Sequence, residues 1–186
     1  MLIDSLVAEF GDTLVVVCYH DRGAYMNDDA IARLAFYNTG LTKPYVIFDG
    51  SEVAWEQIPA NYDSVYHEFF RIVRTIAPYF NLETDSVFSD STTAGFMLWV
   101  VPTDTLPSNT INTFIIVLED SLLGNYTTHV NVCRDIMQFP VDMVYGDTLD
   151  TNIVFNHNIP TGRLKAAVFV QNMDTKEVMQ ARMVRF

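Results

Sequence analysis

The feature that most restricts this chain is a change of period near residue 82. Before it, apolar residues recur at helical three- and four-residue spacing. Beyond it, short runs rich in β-branched and aromatic residues recur at 94–101, 111–118, 126–133, 151–156, 164–171 and 177–184. Turn-forming stretches separate them, at Pro102 to Asn109, Gly124-Asn125, Gly146-Asp147, Pro160-Thr161-Gly162 and Asn172-Met173-Asp174. Strand-like runs at this spacing predict an antiparallel β-sandwich. Phe114, Ile116 and Leu118 alternate with Ile115 and Val117, so both faces of that strand are apolar and call for cover on both. Asn172 to Thr175 predicts a tight hairpin. The boundary is expected in the polar, aperiodic stretch Asn81–Ser91, dividing the chain into 1–82 and 91–186.

The first part reads as α/β. Leu2, Leu6, Val7 and Phe10 share one helical face and Gly11 is a natural stop. Thr13 to Tyr19 is apolar on both faces, the pattern of a strand buried between layers, and His20-Asp21-Arg22-Gly23 ends it. Asn27 is suited to cap a helix running to Tyr37, with Asp28 and Asp29 in its first turn and Gly40 beyond its end. Tyr45 to Phe48 reads as a second buried strand, entered by Pro44 and closed by Asp49-Gly50. A short strand is expected at 52–55. Asp63 is then expected to cap a third helix carrying Val65, Phe69, Ile72, Val73 and Ile76, ended by Pro78.

Composition limits the function classes. Of 186 residues, 49% are apolar, enough for a packed core. Asp and Glu number 23 against 11 Lys and Arg, a net charge of −12, which disfavours broad binding to nucleic acid or anionic membranes. No apolar run is long enough for a transmembrane helix. Met1-Leu2-Ile3-Asp4 lacks the basic start and apolar stretch of a signal peptide. The two cysteines, Cys18 and Cys133, make neither a CxxC nor a zinc cluster.

Both thiols read as structural: each lies in a strand-like run, and a buried apolar thiol is inert. Alternation puts Cys133 and Arg134 on opposite faces, and burial in separate cores argues against a Cys18–Cys133 bridge. His20 is the best polar candidate, because α/β folds gather ligands at the C-terminal ends of strands. Asp21 and Arg22 adjoin it and Tyr25 is within reach. His67-Glu68-Phe69-Phe70-Arg71 begins like a zinc-protease motif but has Arg where the second ligand must stand, so His67 reads as a helix-surface residue. Asp147, Asp150 and Asn152 offer hard oxygens without EF-hand spacing and read as a solvated turn. Asn125-Tyr126-Thr127 is a glycosylation sequon, relevant only in a eukaryotic secretory setting. No catalytic residue, metal site or cofactor is assigned.

Two stretches carry a family resemblance. Leu14 to His20, continuing through Tyr37, with Lys43-Pro44-Tyr45-Val46-Ile47-Phe48-Asp49-Gly50, resembles the thioredoxin-like half of exported bacterial proteins of the outer-membrane-lipoprotein, thioredoxin-related family. His129 to Asp135, Leu164 to Gln171 and Thr175 to Gln180 look like its immunoglobulin-like half. The resemblance implies an incomplete thioredoxin-like α/β domain followed by an antiparallel immunoglobulin-like β-sandwich. It implies that Pro44, with a cis peptide bond, stands opposite the redox site, and that His20, Asp21, Tyr25, Lys43 and Pro44 mark a vestigial binding region. In the family the CxxC opens the helix that here ends near Phe10, so it and the strand before it are absent from this sequence, either lying upstream of Met1 or lost. The chain itself is then non-catalytic, with a protein-binding or scaffolding role in the periplasm or cell envelope. The alternatives are a thiol–disulfide oxidoreductase with an upstream CxxC, and an adhesion module with no redox role. A missing first strand also leaves an edge beside 13–19 for a second copy to cover, so a homodimer is plausible.

Overall fold

The computed structural model describes residues 2–38, 45–54, 62–107, 110–124, 128–160 and 162–186. Gly40, Lys43, Pro44 with its peptide bond, and the sequon at 125–127 lie outside the described residues.

The elements follow in chain order: helix α1 (Leu2–Phe10), helix α2 (Asp28–Phe36), strands β1 (Val46–Phe48) and β2 (Glu52–Ala54), and helix α3 (Tyr62–Val73). Then come β3 (Phe80–Ser89), β4 (Thr93–Pro102), β5 (Ile111–Glu119), β6 (Leu122–Leu123), β7 (Thr128–His129), β8 (Val132–Pro140), β9 (Leu149–Asn156), β10 (Leu164–Asn172) and β11 (Val178–Arg185). Among the described residues the protein is β-rich. One antiparallel sheet has the order β11-β10-β5-β8, another β3-β4-β9, and β1-β2 and β6-β7 form two small ladders.

The two larger sheets share one apolar core. Phe80, Leu82, Phe96, Leu98, Val100, Ile153 and Phe155 from one sheet meet Ile111, Ile115, Val117, Leu164, Val168 and Val184 from the other. Alternation then sends Phe114, Ile116, Leu118, Ala167 and Phe169 to the opposite face of β5 and β10. There they pack with Ala30 of α2 and with Val15, Val17 and Tyr19. The two-sided cover expected for Phe114 to Leu118 is therefore present, with the N-terminal part as the second cover. A third cluster joins Leu6 of α1, Phe48 of β1, and Tyr66, Phe70 and Val73 of α3.

Several local expectations hold. Asn27 caps α2, its side chain accepting from Ala30 N at 2.8 Å. Gly11 follows α1 at φ +53°, a conformation that glycine adopts without strain. The β10–β11 turn is organised by Asn172, whose side-chain oxygen accepts from the backbone N–H groups of Asp174 and Thr175.

Others are corrected. The run 13–19 is not a strand of a layered sheet. Thr13 closes a 3-10 turn begun at Gly11, Leu14 is extended, and Cys18 makes one isolated parallel bridge to Val132. Cys18 N donates to Asn131 O at 2.9 Å and Cys133 N donates to Cys18 O at 3.0 Å. Its two-sided apolar character serves two clusters instead: Leu14 joins the helical one, while Val15, Val17 and Tyr19 face the sheet. The run 45–48 does not pair with it; β1 forms an antiparallel hairpin with β2. The α/β sheet expected of these two runs is thus not formed among the described residues.

The polar stretch Asn81–Ser91 is mostly strand β3. Phe80 and Leu82 enter the core while Asn81, Glu83 and Asp85 face solvent, and a bulge with Ser86 at φ +51° breaks the alternation. Within the run read as a strand at 126–133, Thr128–His129 forms β7 and Val132 opens β8, with Asn131 at φ +48° redirecting the chain between them. Asp63 lies inside α3 rather than before it, and Ile72 and Ile76 are exposed rather than packed.

Candidate functional site

Of the residues singled out around His20, Tyr25 stands beside it, and His129 joins the pair. The chain leaving Tyr19 brings His20 and Tyr25 against His129, which β6–β7 pairing sets opposite Leu122. The rings meet edge-on. His20 and His129 centroids are 4.9 Å apart, Tyr25 and His129 5.5 Å, and His20 and Tyr25 5.7 Å. The Tyr25 hydroxyl donates to Leu123 O at 2.8 Å, pinning the loop to β6.

Partial burial, and then the adjacent His129, hold the His20 imidazole below its ordinary pKa of 6.5, against a smaller opposing pull from Asp21. His20 is therefore neutral at physiological pH and meets its neighbours as an aromatic ring. Asp21 also accepts from Arg22 Nε at 3.3 Å. Lys43 and Pro44 are outside the described residues, so their place relative to His20 is not part of this geometry.

A second polar centre lies beneath α2. Arg33 is 5% exposed, held against the outer face of β5 and β10. Its guanidinium carbon stands 4.4 Å from the Phe114 ring centroid, 4.7 Å from Tyr37, 4.9 Å from Phe36 and 5.6 Å from Phe169. One Nη2 donates to Gln171 Oε1 at 2.7 Å and to the Tyr37 hydroxyl oxygen at 2.5 Å. Its Nε is buried and has no hydrogen-bond partner among the described residues. An ion in such surroundings costs several kcal/mol to desolvate. Here aromatic faces and neutral oxygens take the place of a carboxylate. Burial raises the Tyr19 hydroxyl's pKa, and the nearby Arg33 partly opposes that shift.

Cys133 belongs to the packing of the second cluster. Cys133 is buried, and burial above all pushes its thiol up to about 12, with Asp29 adding to the rise. Asn27 Nδ2 donates to Cys133 O at 2.8 Å, tying the helix cap to β8. The two cysteines lie on adjoining backbone rather than in separate cores, and no disulfide joins them. Beside them, the Asp29 carboxyl is raised by partial burial, by a hydrogen bond to Asp135 and by that residue's charge.

The remaining candidates do not converge. His67 Nε2 lies 2.9 Å from Glu9 Oε2, a link between α3 and α1. Asp147 closes its own turn by accepting from Val144 N at 2.9 Å, while Asp150 and Asn152 lie on β9. Among the described residues no group of three or more His, Cys, Asp or Glu is placed to hold a metal, and no helix is long and apolar enough to cross a membrane.

Sequence reading missed His129 as a partner of His20 because two-residue strands carry no periodic signal. It missed Arg33, although Ala30, Arg33 and Tyr37 share one face of α2 at helical spacing, and a cation on that face was the available clue.

No family model matches this chain, and no curated protein matches it. Solved structures do. HBP35 of Porphyromonas gingivalis is similar with a TM-score of 0.67 at 8% identity over 83% of this chain, which spans 57% of that chain's length. Protein AGR_C_4864 from Agrobacterium tumefaciens is similar with a TM-score of 0.68 at 11% identity, over 99% of this chain and 85% of that one. A domain of the outer membrane lipoprotein Omp28 from P. gingivalis gives a TM-score of 0.41 at 13% identity, covering 60% of this chain and 89% of the other, too slight a likeness to carry an argument. At these identities the comparisons establish a fold shared with bacterial proteins.

Proposed function

We propose that this chain is a non-catalytic binding or scaffolding protein of a bacterial cell envelope, related to the thioredoxin-like exported family, whose partner is another protein. In this reading the second half is an immunoglobulin-like sandwich and the N-terminal part is its structural cover. The observation that carries the non-catalytic role is the setting of Cys133. A thiol pushed up to about 12 is protonated at any physiological pH, and the thiolate is the form that attacks disulfides. Cys18, the other thiol, has its backbone bonded on both sides to Asn131 and Cys133. The sequence resemblance carried by Leu14 to His20 and Lys43 to Gly50 supports the family relation, and the envelope setting rests on that same resemblance.

The test is insulin reduction with dithiothreitol as electron donor, using the chain of 186 residues. The reading predicts turnover at the rate of dithiothreitol alone. Turnover clearly above that rate, lost in Cys133→Ser or Cys18→Ser, contradicts it and favours an oxidoreductase.

A further inference from the structure

The outer face of the β3-β4-β9 sheet sets one aromatic and two aliphatic side chains among acidic ones. Leu98 and Val100 of β4 point into the core, so Met97, Trp99 and Val101 point outward, half-buried and outside the apolar clusters of the described residues. Strand register sets Glu83 of β3 on one side of Trp99 and Asp150 of β9 on the other, both exposed. One row along, Asp85 and Asn152 flank Met97. Directly opposed side chains in such a sheet have Cβ atoms about 5 Å apart, so the indole lies between two carboxylates within side-chain reach. Glu83, Asp85, Trp99 and Val101 also line one shallow depression, together with Thr84. Asn81 Nδ2 donates to Glu83 Oε1 at 2.7 Å and steadies that carboxylate. The cation at this margin, Arg182, is engaged by Thr84 Oγ1 at 3.1 Å and by Leu82 O at 3.3 Å.

We infer that this face docks an extended basic segment of a partner polypeptide, with a Lys or Arg side chain resting on Trp99 between Glu83 and Asp150. The inference rests on the protein-binding reading above and names the chemistry of the partner. An indole face is the best aromatic partner for a cation, and carboxylates on both sides add attraction of the same sign. The chain's net charge of −12 draws a basic segment toward it. Rows along β4 repeat every two residues, roughly 6.8 Å, which is also the side-chain repeat on one face of an extended peptide. A basic residue two positions on therefore meets Asp85 beside Met97.

The experiment uses the full chain and a fluorescein-labelled octapeptide of alternating Lys and Val, read by anisotropy, with a Gln-Val peptide as control. Saturable binding of the Lys-Val peptide is expected, weakened by added salt and absent for the control. Trp99→Ala and the shape-preserving pair Glu83→Gln with Asp150→Asn should each weaken it roughly 5- to 30-fold. The inference is overturned if the wild-type chain does not bind the Lys-Val peptide, if the charge-neutral pair binds it undiminished, or if the control or a neutral oligosaccharide binds as tightly. None of these outcomes touches the insulin assay, so failure of the partner chemistry is distinguishable from failure of the non-redox reading.

Discussion

Replacing Gly50 by Ala should undock the β1–β2 hairpin from the sandwich. Gly50 is buried at φ +76°, where a Cβ would overlap the Lys176 carbonyl oxygen and lie 2.9 Å from Gln171 Nε2 and 3.1 Å from Val178 Cγ2. The obstructing oxygen is backbone and cannot rotate away. The left-handed conformation alone costs an alanine about 1–2 kcal/mol. Relieving the overlap requires the hairpin to move by about 1 Å or more. That movement strains the bond in which Val178 N donates to Asp49 O at 2.6 Å. An amide left without its acceptor adds about 1–3 kcal/mol. Urea unfolding of Gly50→Ala should therefore show a loss of about 2–5 kcal/mol at unchanged m-value, and hydrogen exchange at the Val178 amide should accelerate. A loss under about 0.5 kcal/mol with the Val178 amide still protected would refute the reasoning, because it would mean that the hairpin does not rest on the β10–β11 turn.

Two further predictions follow from the same packing. Phe96→Ala, at a fully buried ring of the shared core, should cost about 3–5 kcal/mol by urea unfolding, whereas Phe88→Ala on the exposed rim should cost under about 1 kcal/mol. His20 is held below 6.5 in the folded chain, so the unfolded chain takes up its proton first as pH falls. Stability is then complete above about 6.5 and declines below it toward the folded pKa, and His20→Gln should flatten that decline in urea midpoints measured from pH 7.5 to 5.

What the sequence disclosed, and what it withheld, divides along one physical line. Strands that alternate or are apolar throughout were legible: β4, β5, β10 and β11 lie within about a residue or two of the runs read for them. The cover on both faces of Phe114 to Leu118 followed from composition alone, since each face of that strand had to be kept from water. The identity of that cover did not, because the run 13–19 satisfies the same pattern whether it lies in a sheet or across one. β3 escaped notice because its outward residues are Asn81, Glu83 and Asp85 and a bulge at Ser86 disturbs its period. At the candidate site, His20 and Tyr25 were visible through their closeness in sequence. His129 and the Arg33–Gln171 contact arise from pairings more than a hundred positions apart, which no local pattern encodes.

In the proposed non-redox reading, Cys133 packs the N-terminal cover against the β-sheets and does not exchange electrons. Maleimide labelling of Cys133 at pH 7.5, followed by peptide mass spectrometry, tests it most directly. Cys133 should stay unmodified in the native chain over hours and be labelled within minutes in urea, as a buried thiol with its pKa pushed up to about 12 requires. Native labelling of Cys133 as fast as in the unfolded chain would contradict it.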